Sequence, residues 1–302
     1  MSAGMTQIGD TEANARRIAN AEAVFGSSGQ KLTNPGRVMI GEGILIKMCR
    51  KKPKPRQFFL FNDILVYGSI LINKKRCNKQ HIIPLESVLL VDIRDEGETR
   101  NGWVIRTPNK SFAVYAATPT EKNAWISHIH RCVMVLHQQC GRKPTSEFAA
   151  VWVPDGEATI CMECNKTIFS LVNRRHHCRA CGQVVCSKCS SRKYVLQNIS
   201  RNPVRVCDKC FDNLSNNRPC PPKGASHPHG YHKPGHIPKA SLKDTPLSDS
   251  SDDEDDSLTG EPSTSVSRHN YVNITPTTPT KEVGSHSLET TEYEAPTFYE
   301  HK

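Results

Sequence analysis

The sequence predicts an α+β multidomain protein with two folded domains and a long polar tail. Between residues 36 and 117, strand-like segments alternate with turn formers, and a segment with the helical period follows. Eight of the 13 cysteines lie between Cys161 and Cys210, which indicates a second, small domain. Beyond residue 215, Pro, His, Ser and Thr dominate and apolar residues are sparse, as is typical of disordered segments.

The first domain is predicted to be a small β-barrel closed by a helix. Its segments, among them residues 57–69 (QFFLFNDILVYGS), are rich in β-branched and aromatic residues. The helix that follows has Thr118 or Thr120 as its N-cap and Trp125 at its centre. A shorter helix is expected over residues 10–24. Several antiparallel strands followed by one amphipathic helix favour this architecture.

Composition divides the chain into five segments. They are an N-terminal helical extension (1–35), the β-domain (36–138), a linker (139–151), the cysteine module (152–214) and a disordered tail (215–302) that carries an acidic run (249–256). The charge of the chain is uneven, because residues 1–214 hold 32 Lys/Arg against 17 Asp/Glu while the tail holds 8 against 13. A basic body points to an anionic partner, either nucleic acid or lipid phosphate. The acidic run either solubilises the tail or competes with that anion for the basic surface.

No segment of the sequence is predicted to enter or cross a membrane as a helix. There is no run of 18 or more apolar residues. The N-terminus lacks the basic start and apolar stretch of a secretory signal. We therefore expect a reducing compartment, in which clustered cysteines bind metal more often than they form disulfides.

The cysteines form four Cys-x2-Cys pairs, and two such pairs complete one tetrahedral zinc site. Only four residues separate the second pair from the third, so adjacent pairs are poorly placed to share an ion. The spacing therefore favours an interleaved arrangement, in which one zinc takes Cys161, Cys164, Cys186 and Cys189 and the other takes Cys178, Cys181, Cys207 and Cys210. Closed shells of four thiolates leave no open position for a substrate, which argues against zinc catalysis.

A basic run, Arg-Arg-His-His-Cys-Arg at residues 174–179, surrounds the third ligand, Cys178. Arginine offers a planar fork for phosphate oxygens, so the run favours a phosphate-bearing ligand. The alternative is that these cations only offset the negative charge of the zinc thiolates. Two apolar residues, Leu171 and Val172, come just before the run.

The module opens with Trp152-Val153-Pro154-Asp155 and contains Arg205 close to its end. With the eight cysteines, these elements resemble the FYVE zinc-finger family over residues 152–214. The resemblance implies two short double-stranded sheets and a C-terminal helix around two zinc ions, with phosphatidylinositol 3-phosphate as the ligand. It implies that Leu171 and Val172 insert into the bilayer. It also implies a set of residues around the lipid headgroup: Asp155, Arg174, Arg175, His176, His177, Arg179 and Arg205.

Residues 36–138 resemble a pleckstrin-homology (PH) domain, which implies a seven-stranded β-barrel with a C-terminal helix. The strand order, Trp125 and the first hairpin carry this resemblance. The hairpin matches the spaced basic motif of that family, with Lys47, Lys51, Lys52, Lys54 and Arg56. The alternative is an ordinary solvated basic loop.

A PH domain followed closely by a FYVE domain resembles the Phafin family over about residues 7–214. This resemblance implies a non-enzymatic adaptor that docks peripherally on membranes carrying phosphatidylinositol 3-phosphate, with protein partners that the sequence does not identify. It implies the cytosolic face of the early endosome and the cytoplasm, with the lysosome as a further site, and roles in endosome and lysosome trafficking and autophagy.

Two other functions fit part of the pattern. A RING-like ubiquitin ligase also interleaves two zinc ions, but RING sites usually include a His ligand, and the basic run would have no role in one. A nucleic-acid-binding zinc protein would show a steep salt dependence without selectivity for the phosphate position. The sequence favours lipid over both, so we expect no nucleic-acid partner.

Overall fold

The computed structural model describes residues 11–71, 76–97, 99–141, 145–220 and 295–299. Seven antiparallel strands form one sheet in the order β4-β3-β2-β1-β7-β6-β5. They are β1 (Met39–Met48), β2 (Pro53–Phe61), β3 (Ile64–Ile70), β4 (Cys77–Pro84), β5 (Leu89–Asp92), β6 (Gly102–Arg106) and β7 (Phe112–Tyr115). This sheet and the helix that follows it confirm the predicted α+β class and the PH-type barrel with its C-terminal helix. None of the helices in the described ranges has the length and apolar character needed to cross a bilayer.

Two helices pack on this sheet, α1 (Glu12–Phe25) and α2 (Pro119–Cys140), and α2 closes one of its faces. Thr118 is the N-cap of α2, accepting a hydrogen bond from the Glu121 amide, and Gly141 ends the helix in the left-handed conformation (φ 57°). Trp125 is fully buried in the main core, which it shares with Phe58 of the sheet. The mid-helix tryptophan therefore lies in the main core of the domain.

The opposite face of the sheet is covered by α1. Alternation along β2 sends Phe58 into the main core and Phe59 into this second core, because successive side chains of a strand point to opposite faces. Phe25 packs edge-on against Phe59, with ring centroids 5.9 Å apart. Its ring also lies against Gly68 of β3, where a Cβ would come within 2.4 Å of the ring.

Replacing Phe25 by Ala is expected to destabilise the β-domain by about 3 kcal/mol, because the change leaves a cavity beneath α1. Asn20→Ala, on the exposed face of the same helix, is the matched control and should change stability by less than about 0.5 kcal/mol. Urea unfolding followed by tryptophan fluorescence measures both variants. Equal stability of the two would show that α1 does not stabilise the sheet.

The cysteine module is built from two short ribbons and a helix. Strands β8 (His176–His177) and β9 (Val184–Val185) pair with each other, as do β10 (Lys193–Tyr194) and β11 (Val204–Arg205), and helix α3 (Asp208–Ser215) follows. Its core consists largely of cysteine side chains with Val184, Val185, Val206 and Phe169. A core this small requires additional cross-links, as metal ions provide.

The segment that joins the two domains runs along the turn between β6 and β7. The Ala149 amide donates to the Thr107 carbonyl at 2.9 Å, and Val151 forms a parallel bridge with Ser111. A further contact joins the Asn198 side-chain amide to the Pro108 carbonyl at 2.8 Å. Residues 149–151 are therefore attached to the β-domain before they enter the cysteine module.

The expectation of disorder throughout residues 215–302 is wrong for two short segments, residues 215–220, which hydrogen-bond to the end of α3, and residues 295–299. Residues 295–299 lie against the β-domain, with strand β12 (Thr297–Phe298) paired to β1. The strand depends on hydrogen bonds and an aromatic contact offered by a distant part of the chain, which local composition does not reveal. The acidic run 249–256 lies outside the described residues.

Candidate metal centres and headgroup site

Two groups of four cysteines form in the module, and within each group all the sulfur atoms lie within 4.8 Å of one another. The groups are Cys161, Cys164, Cys186 and Cys189, and Cys178, Cys181, Cys207 and Cys210. Four thiolates converging on one point match the tetrahedral coordination of structural zinc. The two clusters therefore fit two zinc ions in the interleaved arrangement that the spacing predicted.

Backbone amides orient the sulfur ligands. The Cys186 amide donates to Cys161 Sγ at 3.3 Å, and the Cys207 amide donates to Cys178 Sγ at 3.2 Å. Each bond runs from one Cys-x2-Cys pair to its interleaved partner, so it ties together the segments that share an ion. Amide donors also stabilise the thiolate form that zinc requires.

Gly182 allows the turn that carries Cys178 and Cys181 to lie close to the backbone of Val151. Its φ of +78° is rarely adopted by other residues, and its amide donates to the Cys178 carbonyl at 2.9 Å. A Cβ at this position would lie 2.2 Å from the Val151 carbonyl oxygen. The turn that presents Cys178 and Cys181 thus leaves no room for a side chain.

Cations converge around His176 on β8. The pKa of His176 is lowered by burial and then by the positive charges of Arg205, Arg179 and Arg174. Arg179 and Arg205 are adjacent through the backbone, since the Arg179 amide donates to the Arg205 carbonyl at 3.0 Å. The structure therefore brings together basic residues from the two separate ribbons.

Neighbouring groups hold these arginines in place. Arg179 lies over the Trp152 ring, 4.7 Å from its centroid, and donates to the His177 carbonyl at 2.9 Å. Arg205 donates to the Ser190 carbonyl at 2.7 Å. The cluster is therefore ordered, as a phosphate-binding site needs to be.

His177 lies in the interior and Asp155 lies beside it. The ring is only 3% exposed, is stacked on Trp152 at 4.8 Å, and donates from Nε2 to the Val153 carbonyl at 2.8 Å. Asp155 Oδ1 is 3.8 Å from the same nitrogen, and this oxygen is buried without a hydrogen-bond partner among the described residues. His177 thus holds the segment that carries Asp155 through its bond to Val153. Asp155 Oδ1 keeps its capacity to accept a hydrogen bond.

The first hairpin of the β-domain reaches the site through Arg50, a residue that no sequence pattern singled out. The Asp155 amide donates to the Arg50 carbonyl at 2.7 Å, and Arg50 Nε lies 3.6 Å from Asp155 Oδ2. The Arg50 charge also contributes to the lowered pKa of His177, after burial and Arg179. The hairpin is therefore in direct contact with Asp155 of the candidate headgroup site.

Of the basic hairpin residues, Lys47 and Arg56 are buried and Lys51 and Lys52 are exposed. Lys47 and Lys54 pair across the hairpin, and the Lys47 ammonium lies 4.7 Å from the centre of the Phe112 ring. Arg56 lies near Cys49, with its guanidinium 4.0 Å from the sulfur. Because Lys47 and Arg56 are buried while Lys51 and Lys52 are exposed at the tip, the hairpin is not a uniformly solvated basic loop.

An exposed apolar tip precedes the cation cluster. Leu171 is 96% exposed and Val172 is 89% exposed, whereas Phe169 is buried and packs beneath Arg175. Ile168, which the sequence reasoning missed, is 69% exposed at the same tip. A large apolar residue directly before Phe169 was the signal that could have identified it.

Comparison with known proteins assigns both domains. The FYVE zinc-finger profile matches residues 151–216 and the PH-domain profile matches residues 39–134. A zebrafish (Danio rerio) protein, pleckstrin homology domain-containing family F member 2, is 60% identical over 221 residues, covering 73% of this chain and 90% of the relative. Human member 2 is 62% identical over 209 residues (69% and 84%), and human member 1 is 53% identical over 208 residues (69% and 75%).

Fold and site together define a two-domain protein in which a PH domain precedes a FYVE zinc finger with two zinc sites of four cysteines each. The chain belongs to the pleckstrin homology domain-containing family F, the Phafin family. With these two domains it is a phosphoinositide-binding adaptor that associates with membranes peripherally.

Proposed function

We propose that this chain is a non-enzymatic adaptor that recognises phosphatidylinositol 3-phosphate on the cytosolic face of early endosomes. From there it would act in endosome and lysosome trafficking and in autophagy. The observation that carries the proposal is the position of an ordered cation cluster directly behind an exposed apolar tip. Cations can bind the phosphates of a lipid headgroup, and exposed apolar side chains beside them can insert into the bilayer. The combination therefore fits a charged headgroup at a bilayer surface.

The family resemblance supplies the proposed headgroup contacts, and the charges of Arg174, Arg179 and Arg205 near His176 support them. Arg174, Arg175, Arg179 and Arg205 would surround the phosphates, with His176 between them. Asp155 would accept hydrogen bonds from inositol hydroxyls, and its amide bond to the Arg50 carbonyl would help to hold it in place. His177 would act as a positioning residue, because its Nε2 is already used by Val153.

The PH domain would contribute a second contact to the same membrane. Its hairpin touches Asp155 through Arg50, and Lys51 and Lys52 are exposed at its tip. Two linked binding sites increase the residence time of a protein on a membrane even when each site is weak, provided that both sites reach the membrane at the same time. The packed segment 149–151 limits the freedom between the domains and favours a joint approach.

Replacing both Leu171 and Val172 by Gln is expected to weaken vesicle binding at least about tenfold. Burying each side chain in the bilayer contributes on the order of 1–3 kcal/mol, and the two residues make no contribution to the core. Sedimentation with vesicles containing phosphatidylinositol 3-phosphate measures the effect. Leu89→Gln, an exposed leucine on β5, is the matched control and should bind like the wild type.

A comparison of equally charged vesicles tests the proposed function. The full chain with its zinc is sedimented with vesicles that carry phosphatidylinositol 3-phosphate, or phosphatidylserine at the same total negative charge. Strong binding to the first and weak binding to the second is expected. Equal binding to both would mean that the basic surface reads charge alone, and would contradict headgroup recognition.

A further inference from the structure

The C-terminal residues 295–299 extend the sheet of the PH domain. Phe298 and Thr297 lie opposite Gly41 and Glu42 in antiparallel register, along the first half of β1. The Tyr299 amide donates to the Ile40 carbonyl at 2.8 Å. Main-chain pairing of this kind is how sheet edges bind extended peptides.

The side chain of Phe298 lies in a groove between β1 and α2. Its ring is stacked on His128 at 4.4 Å and meets Trp125 edge-on at 5.1 Å. Trp125 belongs to the main core of the domain, so the phenylalanine contacts a rigid surface. Aromatic contacts of this geometry contribute about 0.5–1.5 kcal/mol beyond the area they bury.

Tyr299 provides a polar anchor beside this contact. Its hydroxyl donates to Glu42 Oε1 at 2.6 Å, and the Arg17 guanidinium of α1 lies 3.9 Å from the ring centroid. Burial and the neighbouring Glu42 carboxylate raise the pKa of Tyr299, so the hydroxyl keeps the proton that it donates. Three elements of the domain therefore contact the segment.

Two glycines in β1 make room for it. A Cβ at Gly41 would lie 2.4 Å from the Phe298 ring and 2.8 Å from the Thr297 carbonyl oxygen. At Gly43 a Cβ would lie 2.6 Å from Pro296. Glycine weakens a strand interior, and it commonly marks a place where another backbone approaches closely.

We propose that the groove between β1 and α2 is a recognition site for an extended Pro-x-Phe-Tyr segment, and that residues 296–299 of the same chain are its resident ligand. The main-chain pairing supplies affinity, and the Phe298 contact and the Glu42 acceptor supply specificity. Residues 221–294, which are 74 in number, connect this ligand to the end of the cysteine module. Because the segment belongs to the same chain as the groove, a free peptide must compete with an intramolecular ligand.

A labelled peptide tests the groove in the full, zinc-loaded chain. The probe is a synthetic fluorescein-labelled peptide of residues 294–302, and fluorescence anisotropy reports its binding. The chain carrying Phe298→Ala releases its own ligand and is expected to bind the probe at least about tenfold more tightly than the wild type does. The same probe with Ala in place of Phe298 should not bind.

Two further variants locate the site and control for nonspecific effects. Gly41→Ala, introduced with Phe298→Ala, should abolish probe binding because the new Cβ occupies the path of the peptide. Thr297→Ala removes an exposed side chain of the same segment and should behave like the wild type. A probe phosphorylated on Tyr299 should bind at least about tenfold more weakly, since a phosphate would lie beside the Glu42 carboxylate.

Three results would overturn the proposal. The probe would fail to bind the Phe298→Ala chain, or it would bind that chain and the wild type equally. In the third, light scattering would find a wild-type dimer that Phe298→Ala converts to a monomer, which would place the segment in the groove of a second copy. None of these outcomes depends on lipid, so the proposed membrane function is tested separately.

Discussion

Cys178→Ser is expected to abolish one zinc site and unfold the cysteine module while the PH domain stays folded. Cys178 is fully buried, and its sulfur lies within the second cluster, where it accepts a hydrogen bond from the Cys207 amide. Structural zinc contributes about 10–16 kcal/mol of apparent binding free energy in small modules, and most of it is folding energy. The core formed by the cysteines, three valines and Phe169 cannot offset that loss.

Metal analysis and amide hydrogen exchange measure this outcome together. Zinc content should fall from two ions per chain to one or fewer, and exchange protection should be lost across residues 176–210 but retained in β2. Cys140→Ser is the matched control, because Cys140 is an exposed cysteine outside both clusters. Two zinc ions and full protection in Cys178→Ser would contradict the assignment of the ligands.

Arg174→Ala is expected to weaken binding to vesicles with phosphatidylinositol 3-phosphate by about 10- to 100-fold. Its side chain is exposed, and its charge, like those of Arg205 and Arg179, contributes to the lowered pKa of His176 after burial. A hydrogen bond to a charged group contributes about 1.5–3 kcal/mol, and each 1.4 kcal/mol is a factor of ten. Because Arg174 has no hydrogen bond or ion pair in the described ranges, its removal should leave the fold intact.

Lys209→Ala is the matched control for this loss of charge. Lys209 is exposed on α3 and outside the cation cluster, so vesicle binding should fall less than about threefold. Equal losses in the two variants would show that net charge, and not a defined pocket, determines binding. Unchanged binding in Arg174→Ala would remove this residue from the headgroup site.

Local patterns in the sequence were sufficient to predict the zinc ligands and the main elements of the fold. The pairs of cysteines predicted the interleaved clusters because the short spacing between the second and third pairs disfavours one shared ion, and the structure confirms the two groups. The helical period predicted α2 with Trp125 in the core, and Thr118 is its cap. Helix α2 depends on residues that are close in sequence, and the zinc clusters depend on the requirement of zinc for four ligands.

Features that depend on distant contacts could not be predicted in this way. Arg50 reaches Asp155 only because the PH hairpin packs against the cysteine module. The family resemblance places His177 at the ligand, whereas the fold buries its ring against Trp152. The strand at Thr297–Phe298 depends on space above Gly41, which no local pattern near residue 298 reveals.

Selectivity among phosphate positions tests the central claim most directly. The full chain with its zinc is sedimented with vesicles that carry phosphatidylinositol 3-, 4- or 5-phosphate at equal density. A defined site with Arg174, Arg179, Arg205 and Asp155 predicts binding to the 3-phosphate at least about tenfold stronger than to the other two. Equal binding to all three vesicles would contradict it, and would reduce the site to a generic basic surface.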